Sequence, residues 1–276
     1  MTLNWFITGT SSGFGRIITE KLLARGDRVT ATLRKPGPLD DLKERHPGNL
    51  DVVLLDVTDM GAVSRAVDEA FARMGRIDVV VNNAGYGLFG AAEEVTGKQI
   101  RHQIDTNIMG SIEVIRASLP HMRAQGGGRV IQISSAGGQL AHPGFSLYHT
   151  TKWGIEGFVE AVALEVAPFG IEFTIVEPGA TKTKFGEGLV MSKPMAAYDE
   201  TPVGAMRRGS GGSPFGVQGD AEKSVDAMIA SVDTSPAPRR LVLGSSAHTR
   251  IREALEKRLA ELDAQKDIAF SADADS

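Results

Sequence analysis

Residues 3–15 read Leu3-Asn4-Trp5-Phe6-Ile7-Thr8-Gly9-Thr10-Ser11-Ser12-Gly13-Phe14-Gly15. An apolar run ends at Thr8, glycines follow at GxxxGxG spacing, and a helical pattern starts at once and continues to Arg25. Glycines let the backbone turn sharply and approach a pyrophosphate, whose charge then meets unpaired amides and the positive end of the helix. A strand, a glycine loop and a helix start in that order predict a dinucleotide-binding unit with Gly9, Thr10, Ser11, Ser12, Gly13, Phe14 and Gly15 as its loop. The spacing differs from the commoner GxGxxG, and taken alone the loop also fits a strand-to-helix turn that holds no ligand.

Outward from this unit the same rhythm repeats. Apolar runs at Leu3–Thr8, Arg28–Leu33, Asp51–Leu55, Ile77–Val81, Arg129–Ile133, Ile171–Val176 and Arg240–Leu243 read as seven strands. Amphipathic stretches between them, among them 15–25, 60–73, 103–123 and 152–167, read as helices. Nearly continuous apolar strands joined by crossover helices predict an α/β fold of Rossmann type, a doubly wound, seven-stranded parallel sheet with helices on both faces. Ligands of such sheets lie at the carboxyl ends of the strands. No repeat or interdomain linker is visible, so residues 1–266 read as a single domain and 267–276 as a flexible tail. The charged amphipathic stretch 248–262 reads as a late helix. The long Met- and Gly-rich segment 184–219 breaks the rhythm and reads as a mobile substrate lid.

Composition narrows the function. The chain has 276 residues, 42% of them hydrophobic and 23% charged, which is the balance of a globular protein rather than a disordered or fibrous one. Its net charge of −4 provides no positive field for nucleic acid. The absence of cysteine excludes thiolate chemistry and Cys-ligated zinc, and the six histidines show no ligand spacing, so no metal is expected. No apolar run approaches the roughly 18 residues of a membrane span. The N-terminus shows no secretory pattern, which gives a cytoplasmic expectation.

At the end of the second strand, where a carboxylate would ordinarily accept the ribose hydroxyls, the chain has Leu33, Arg34 and Lys35. With no carboxylate to repel it and a guanidinium to bind it, a 2′-phosphate fits, so NADP (NADPH) is expected over NAD.

With these residues the chain resembles a short-chain dehydrogenase/reductase of the single-domain branch, over roughly residues 3–245. The resemblance rests on the loop 8–15, Asp56-Val57, Asn82-Asn83-Ala84-Gly85, Asn107, Ser135, Tyr148-His149-Thr150-Thr151-Lys152 and Pro178-Gly179, each at a strand end or helix start. The opening 5–15 together with Arg34 is most similar to the 17β-hydroxysteroid-dehydrogenase-like subset, whose members are too diverse to imply a steroid. The resemblance implies that Tyr148 is the general acid/base, that Ser135 bonds the substrate oxygen, and that Asn107 holds a water leading from the lysine to solvent. Lys152 would stabilise the phenolate and, with Tyr148, meet the nicotinamide ribose. Asp56 and Val57 would flank the adenine, and Asn83, Ala84 and Gly85 the adenosine ribose. Pro178 and Gly179 would border the nicotinamide, with Thr183 and, less closely matched, Thr181 beside them.

The residues themselves support part of this. Tyr148 and Lys152 are four apart and so share a helix face, where an ammonium favours the phenolate of a tyrosine that is otherwise a poor base at neutral pH. Ser134 and Ser135 are strand neighbours and point to opposite sides, so one of them faces the substrate. A Ser135–His149 hydrolase arrangement lacks the GxSxG elbow, and His149 points about 100° away from Tyr148 on a helix. His142 is a further nearby histidine. The apolar lid candidates Phe185, Leu189, Met191, Met195, Tyr198, Met206 and Phe215 suggest a small to medium apolar ketone, aldehyde or secondary alcohol. The alternatives are an NAD-linked alcohol dehydrogenase and a nicotinamide-binding sensor without turnover. The family carries the expectation of a homodimer or homotetramer.

Overall fold

Two of the sequence's apolar runs, Asn4–Ile7 (β1) and Arg28–Leu33 (β2), pair in parallel from Asn4 with Arg28 to Ile7 with Ala31 in a computed structural model that describes residues 2–209 and 218–274. Around them lie β3 (Leu50–Leu54), β4 (Val79–Asn82), β6 (Gly128–Ile133), β7 (Ile171–Pro178) and β9 (Arg240–Leu243); a separate short pair joins β5 (Leu88–Phe89) to β8 (Val190–Met191). Among the described residues the main sheet has seven strands, all parallel, in the order β3-β2-β1-β4-β6-β7-β9. The order reverses between β1 and β4, which opens a crevice above their carboxyl ends.

The crossovers are α1 (Gly13–Arg25), α2 (Asp40–Arg45), α3 (Met60–Met74), α4 (Gly97–Ile104) with α5 (Gly110–Ala124), and α6 (Ser146–Val166); α7 (Pro202–Arg208), α8 (Ala221–Ala230), α9 (Ser245–Asp263) and α10 (Lys266–Phe270) follow. Local chemistry sets their ends. Asp59 caps α3 by accepting from Ala62 N–H at 2.9 Å, Thr96 and Gln99 form a capping box on α4, and Gly26 closes α1 in the left-handed conformation at φ 90°. Alternate strand residues feed two cores. Phe6 and Val80 pack with α3, α5 and α6 on one face, and Trp5, Ile7 and Val79 with α1 and α8 on the other. Phe6 and Ile155 are fully buried, so truncating Ile155 to alanine would cost about 2–5 kcal/mol.

Four stretches differ from the sequence reading. The helix expected over 103–123 starts at Gly97 and passes through a π-helical turn at Asp105–Met109, where Asn107 inserts its amide between backbone groups. The helix expected from Lys152 starts six residues earlier, at Ser146, so Tyr148 stands in its first turn. The segment 184–219, read as one loop, contains β8, a 3₁₀ turn at Ala196–Tyr198 and α7; its glycine-rich part and Phe215 lie outside the described residues. A five-residue helix, α10, stands at the start of the expected tail.

Candidate active site

The crevice above β1 and β4 is a cavity of about 1100 Å³. Most of the predicted residues line it: Gly9, Ser11, Ser12, Gly13 and Phe14 from the first loop, Arg34, Asp56 and Val57 from the next two strand ends, then Asn83, Ala84, Gly85, Ser135, Tyr148, Lys152, Pro178, Gly179, Thr181 and Thr183. Thr10, Gly15 and Asn107 stand behind the wall instead. Thr10 is buried and donates to Thr32 O at 3.0 Å. Gly15 packs so closely that a Cβ there would lie 2.5 Å from both Gly9 O and Asn83 Nδ2.

Asn83 is the reason for that closeness. Its Nδ2 donates to Thr8 O and Gly9 O, both at 2.9 Å, which pins the glycine loop to the end of β4. Thr8, the first residue of the loop motif 8–15, completes the clasp by accepting from the amides of Asn83 and Ala84 at 3.0 Å each. Gly9 itself has φ 70°, and a Cβ would meet Ala84 Cα at 2.7 Å, so no larger residue fits.

Arg34 is exposed at the end of β2. Asp56, across the cavity edge, accepts from Thr58 N–H at 3.0 Å and Thr58 Oγ1 at 2.8 Å. The Thr58 amide above all, helped by its hydroxyl and by the charge of Arg34, holds the Asp56 carboxyl below the ordinary range. Thr181 donates to Gly179 O at 3.0 Å, whereas Thr183 sits over the loop, 3.7 Å from where a Gly13 Cβ would be.

At the other end, α6 brings Tyr148 and Lys152 to one face. Lys152 Nζ is buried, donates to Ile133 O at 2.9 Å, and lies 5.7 Å from the Tyr148 ring centre. Burial lowers the Lys152 pKa to about 8, opposed by the charge of Glu156. Burial also drives the Tyr148 phenol up to about 12, only partly offset by its hydrogen bond with Ser135. Ser135 in turn accepts Gly137 N–H at 3.0 Å, which fixes its hydroxyl. Ser134, just past β6, donates instead to Glu156.

Both amide protons of Asn107 are taken by protein: it accepts Tyr86 N–H at 3.1 Å and donates to Tyr86 O at 2.9 Å and Thr151 Oγ1 at 3.1 Å. His149 is likewise engaged at both nitrogens, Nδ1 with Gly137 O at 2.7 Å and Nε2 accepting His142 N–H at 2.8 Å. Both nitrogens are thus taken by backbone groups and neither bonds Ser135, which removes the hydrolase arrangement. Of the lid candidates, Phe185, Leu189, Met191 and Met206 line the cavity, Phe185 with its ring 5.9 Å from that of Tyr148; Met195 and Tyr198 do not line it.

Sequence reasoning missed Glu156 and Arg240. Glu156, one turn after Lys152 and 2% exposed, binds Ser134, Gln139 and Arg240 Nη1, the last at 2.6 Å. Arg240 also bridges to buried Glu177 and to Glu160. The apolar context of 155–166 is the one signal that a carboxylate there would be buried.

A family model described as short chain dehydrogenase matches residues 4–193. The chain belongs to the short-chain dehydrogenase family. Its similarity extends beyond the matched segment: it is 38% identical over 255 residues to an oxidoreductase, BOA17, of Botryotinia fuckeliana, covering 90% of each chain. It is also 38% identical over 187 residues to a 3-ketodihydrosphingosine reductase of Bacteroides thetaiotaomicron, covering 68% of this chain and 67% of that one. A solved short-chain dehydrogenase from Streptomyces avermitilis superposes with a TM-score of 0.92 at 40% identity, over 99% of this chain and 100% of that one. The NADP-bound structure of ElxO gives 0.74 at 25% identity, over 90% and 100%. Among the described residues of this dehydrogenase no group of three or more metal-ligating side chains occurs, and no helix is long and apolar enough to cross a membrane.

Proposed function

We propose that this short-chain dehydrogenase is an NADP(H)-dependent reductase that interconverts a carbonyl and a secondary alcohol on a small to medium apolar substrate. The observation that carries the reading is the joining of Ser135, Tyr148 and Lys152 at one end of a cavity whose other end holds the glycine loop and Arg34.

The residues present fit a nicotinamide dinucleotide. The first turn of α1 faces the cavity with no acidic residue in it and no side-chain cap from Ser12, so its amides remain for a pyrophosphate. Gly13, at φ 55°, keeps that turn free of a side chain, with Thr183 its nearest neighbour. Arg34 would hold a 2′-phosphate, Asp56 and Val57 the adenine, Asn83, Ala84 and Gly85 the adjoining ribose, and Pro178, Gly179, Thr181 and Thr183 the nicotinamide side. The NADP bound to ElxO supports the same choice. When bound, the cofactor supplies or removes a hydride at the substrate carbon.

The chain's own part is the proton. With its pKa near 12, Tyr148 carries its proton at neutral pH and can give it to the carbonyl oxygen as negative charge develops there. Ser135 orients that oxygen by a hydrogen bond. The buried Lys152 ammonium lowers the cost of the phenolate left behind. Asn107 belongs to this machinery through Thr151 and the Tyr86 backbone, holding α4 and α5 against α6. The reading includes one catalytic domain over 1–266, a lid over 184–219 that moves, a tail over 267–276, a cytoplasmic setting and a homodimer or homotetramer. Exposed Leu164 and Phe169 at the end of α6 support an assembly.

The test is nicotinamide absorbance over time with NADPH and NADH across a panel of apolar ketones and aldehydes, beside Tyr148→Phe. Turnover with NADPH that the variant abolishes is expected. Cofactor binding without turnover on any carbonyl or alcohol would overturn the enzyme reading in favour of a sensor.

A further inference from the structure

The lid of the cavity is apolar, but its substrate end carries a cation that the reduction does not use. Arg250, in the second turn of α9, lines the cavity, and its Nη2 lies 3.2 Å from Nδ1 of His142. His142 meets His149 ring to ring at 5.6 Å, and His149 meets Tyr148 at 6.1 Å. Arg250 therefore ends a short series of rings that begins at the phenol. The start of α9 also touches the nicotinamide side: a Cβ at Gly179 would lie 3.1 Å from Ala247 Cβ, one turn before Arg250.

Of the other charges that line the cavity, Lys184 stands exposed on the lid segment and the rest are engaged elsewhere. Arg207 is bound by Glu94 through both carboxylate oxygens, at 2.6 and 2.7 Å. Lys152 is held beneath Tyr148, and Arg34 stands at the adenine end with Asp56, the one acidic residue that lines the cavity among those described. Arg250 has no carboxylate within ion-pair distance among the described residues. Its contact, His142, is kept neutral by burial and by the charge of Arg250 itself, at about 4, so it contributes an acceptor and no counter-charge. A half-buried guanidinium in a cavity walled by Phe145, Leu140 and Phe185 is a costly arrangement unless a ligand neutralises it.

We propose that Arg250, backed by His142, anchors a carboxylate on the substrate, so that the preferred substrates are oxo acids or hydroxy acids with an apolar body. Of the anions a guanidinium takes, a planar carboxylate matches the paired N–H groups of Arg250. This deepens the reductase reading and rests on it.

The test compares medium-chain oxo acids, with the carbonyl at different positions, against their methyl esters, using the full chain with NADPH. The acid-to-ester ratio of kcat/KM is expected to be about tenfold to a hundredfold, the range of a charge-assisted pair. Arg250→Gln should bring the ratio to about one and Arg250→Lys should keep part of it. Equal use of acid and ester by the wild type, or a ratio unmoved in Arg250→Gln, overturns the proposal. So does a fall in NADPH affinity without a change in the ratio, which would assign Arg250 to the cofactor. A second readout needs no turnover: a saturated fatty acid should bind the NADP-loaded protein about tenfold more tightly than the matching alcohol, and Arg250→Gln should erase the difference. If that binding preference holds while no carbonyl is reduced, the reductase reading fails and the carboxylate site stands. If turnover holds without the preference, the reverse is true.

Discussion

Glu156 accepts a hydrogen bond from Ser134, and so ties the helix that carries Tyr148 and Lys152 to the residue beside Ser135. The same carboxylate binds Arg240, which also holds Glu177; Glu156 and Glu177 are 2% and 1% exposed. Two buried carboxylates thus share one guanidinium, and removing it leaves both uncompensated. Arg240→Ala is therefore expected to lose about 3–5 kcal/mol in urea unfolding. A loss under about 1 kcal/mol, the scale of an exposed pair, would show that the network is surface decoration.

Glu177 gives this network a pH signature. Burial first, then the neighbouring Glu156, raises its pKa from 4.5 to about 7 against the opposing pull of Arg240. Between these values the folded state binds more protons than the unfolded one, so stability falls as pH rises through that window. Unfolding followed by denaturant from acid to neutral pH should show this downward slope, and Glu177→Gln should flatten it. A wild-type slope of the opposite sign, unchanged in the variant, would refute the assignment.

For catalysis the titrating group is Lys152. Its pKa, lowered from 10.5 to about 8, means that the ammonium is lost as pH rises through about 8 in the ligand-free enzyme. Because kcat/KM reports the free enzyme, its value for reduction should be level below that pH and decline above it. Glu156 favours the ammonium, so Glu156→Gln should move the decline to lower pH, a shift that mere loosening of the fold would not produce. A decline at unchanged pH in this variant would separate Glu156 from the proton chemistry.

Much of this architecture was legible in the sequence, for a physical reason. Parallel strands buried on both faces must be apolar throughout, so each strand of the main sheet announced itself, and the cavity opens at strand ends, where Gly9, Asn83 and Ser135 line it. What remained hidden depends on contacts distant along the chain. Glu156 and Arg240 are 84 residues apart, and each alone reads as an ordinary charge. The π-helical turn at Asn107 has the same periodicity as the helices around it until the backbone of Tyr86 is seen filling the amide. Thr8 looks like the last residue of a strand, yet its hydroxyl receives two amides from the loop just after β4.

Arg34 tests the cofactor choice. Arg34→Asp removes a bidentate donor for a 2′-phosphate and puts a repelling charge in its place, while a carboxylate there can accept ribose hydroxyls. The ratio of kcat/KM with NADPH to that with NADH should fall by about a hundredfold or more, since each charge-assisted bond contributes about 1.5–3 kcal/mol. An unchanged ratio would place the preference elsewhere and restore the NAD-linked alternative.

Besides the pairing of β8 with β5, the proposed lid is fastened at Glu94. Glu94, whose side chain is fully buried, accepts the amides of Ala91 at 2.7 Å and Met195 at 2.8 Å and pairs with Arg207 of α7, so it joins the loop before α4 to the segment between β8 and α7. Burial alone would raise its pKa; the two amides and Arg207 outweigh that and lower it below 4.5. The stabilisation is therefore complete above the ordinary carboxylate range and lost as pH falls through the lowered value. Arg207→Ala leaves Glu94 buried without its cation, at a cost of about 3 kcal/mol felt locally by the lid. Limited proteolysis should then cut between residues 184 and 209 faster than in the wild type, with KM for substrate raised more than kcat is lowered. Equal cleavage rates in the two proteins would mean that the lid is held by its apolar contacts, Phe185 on Tyr148 among them, and not by this pair.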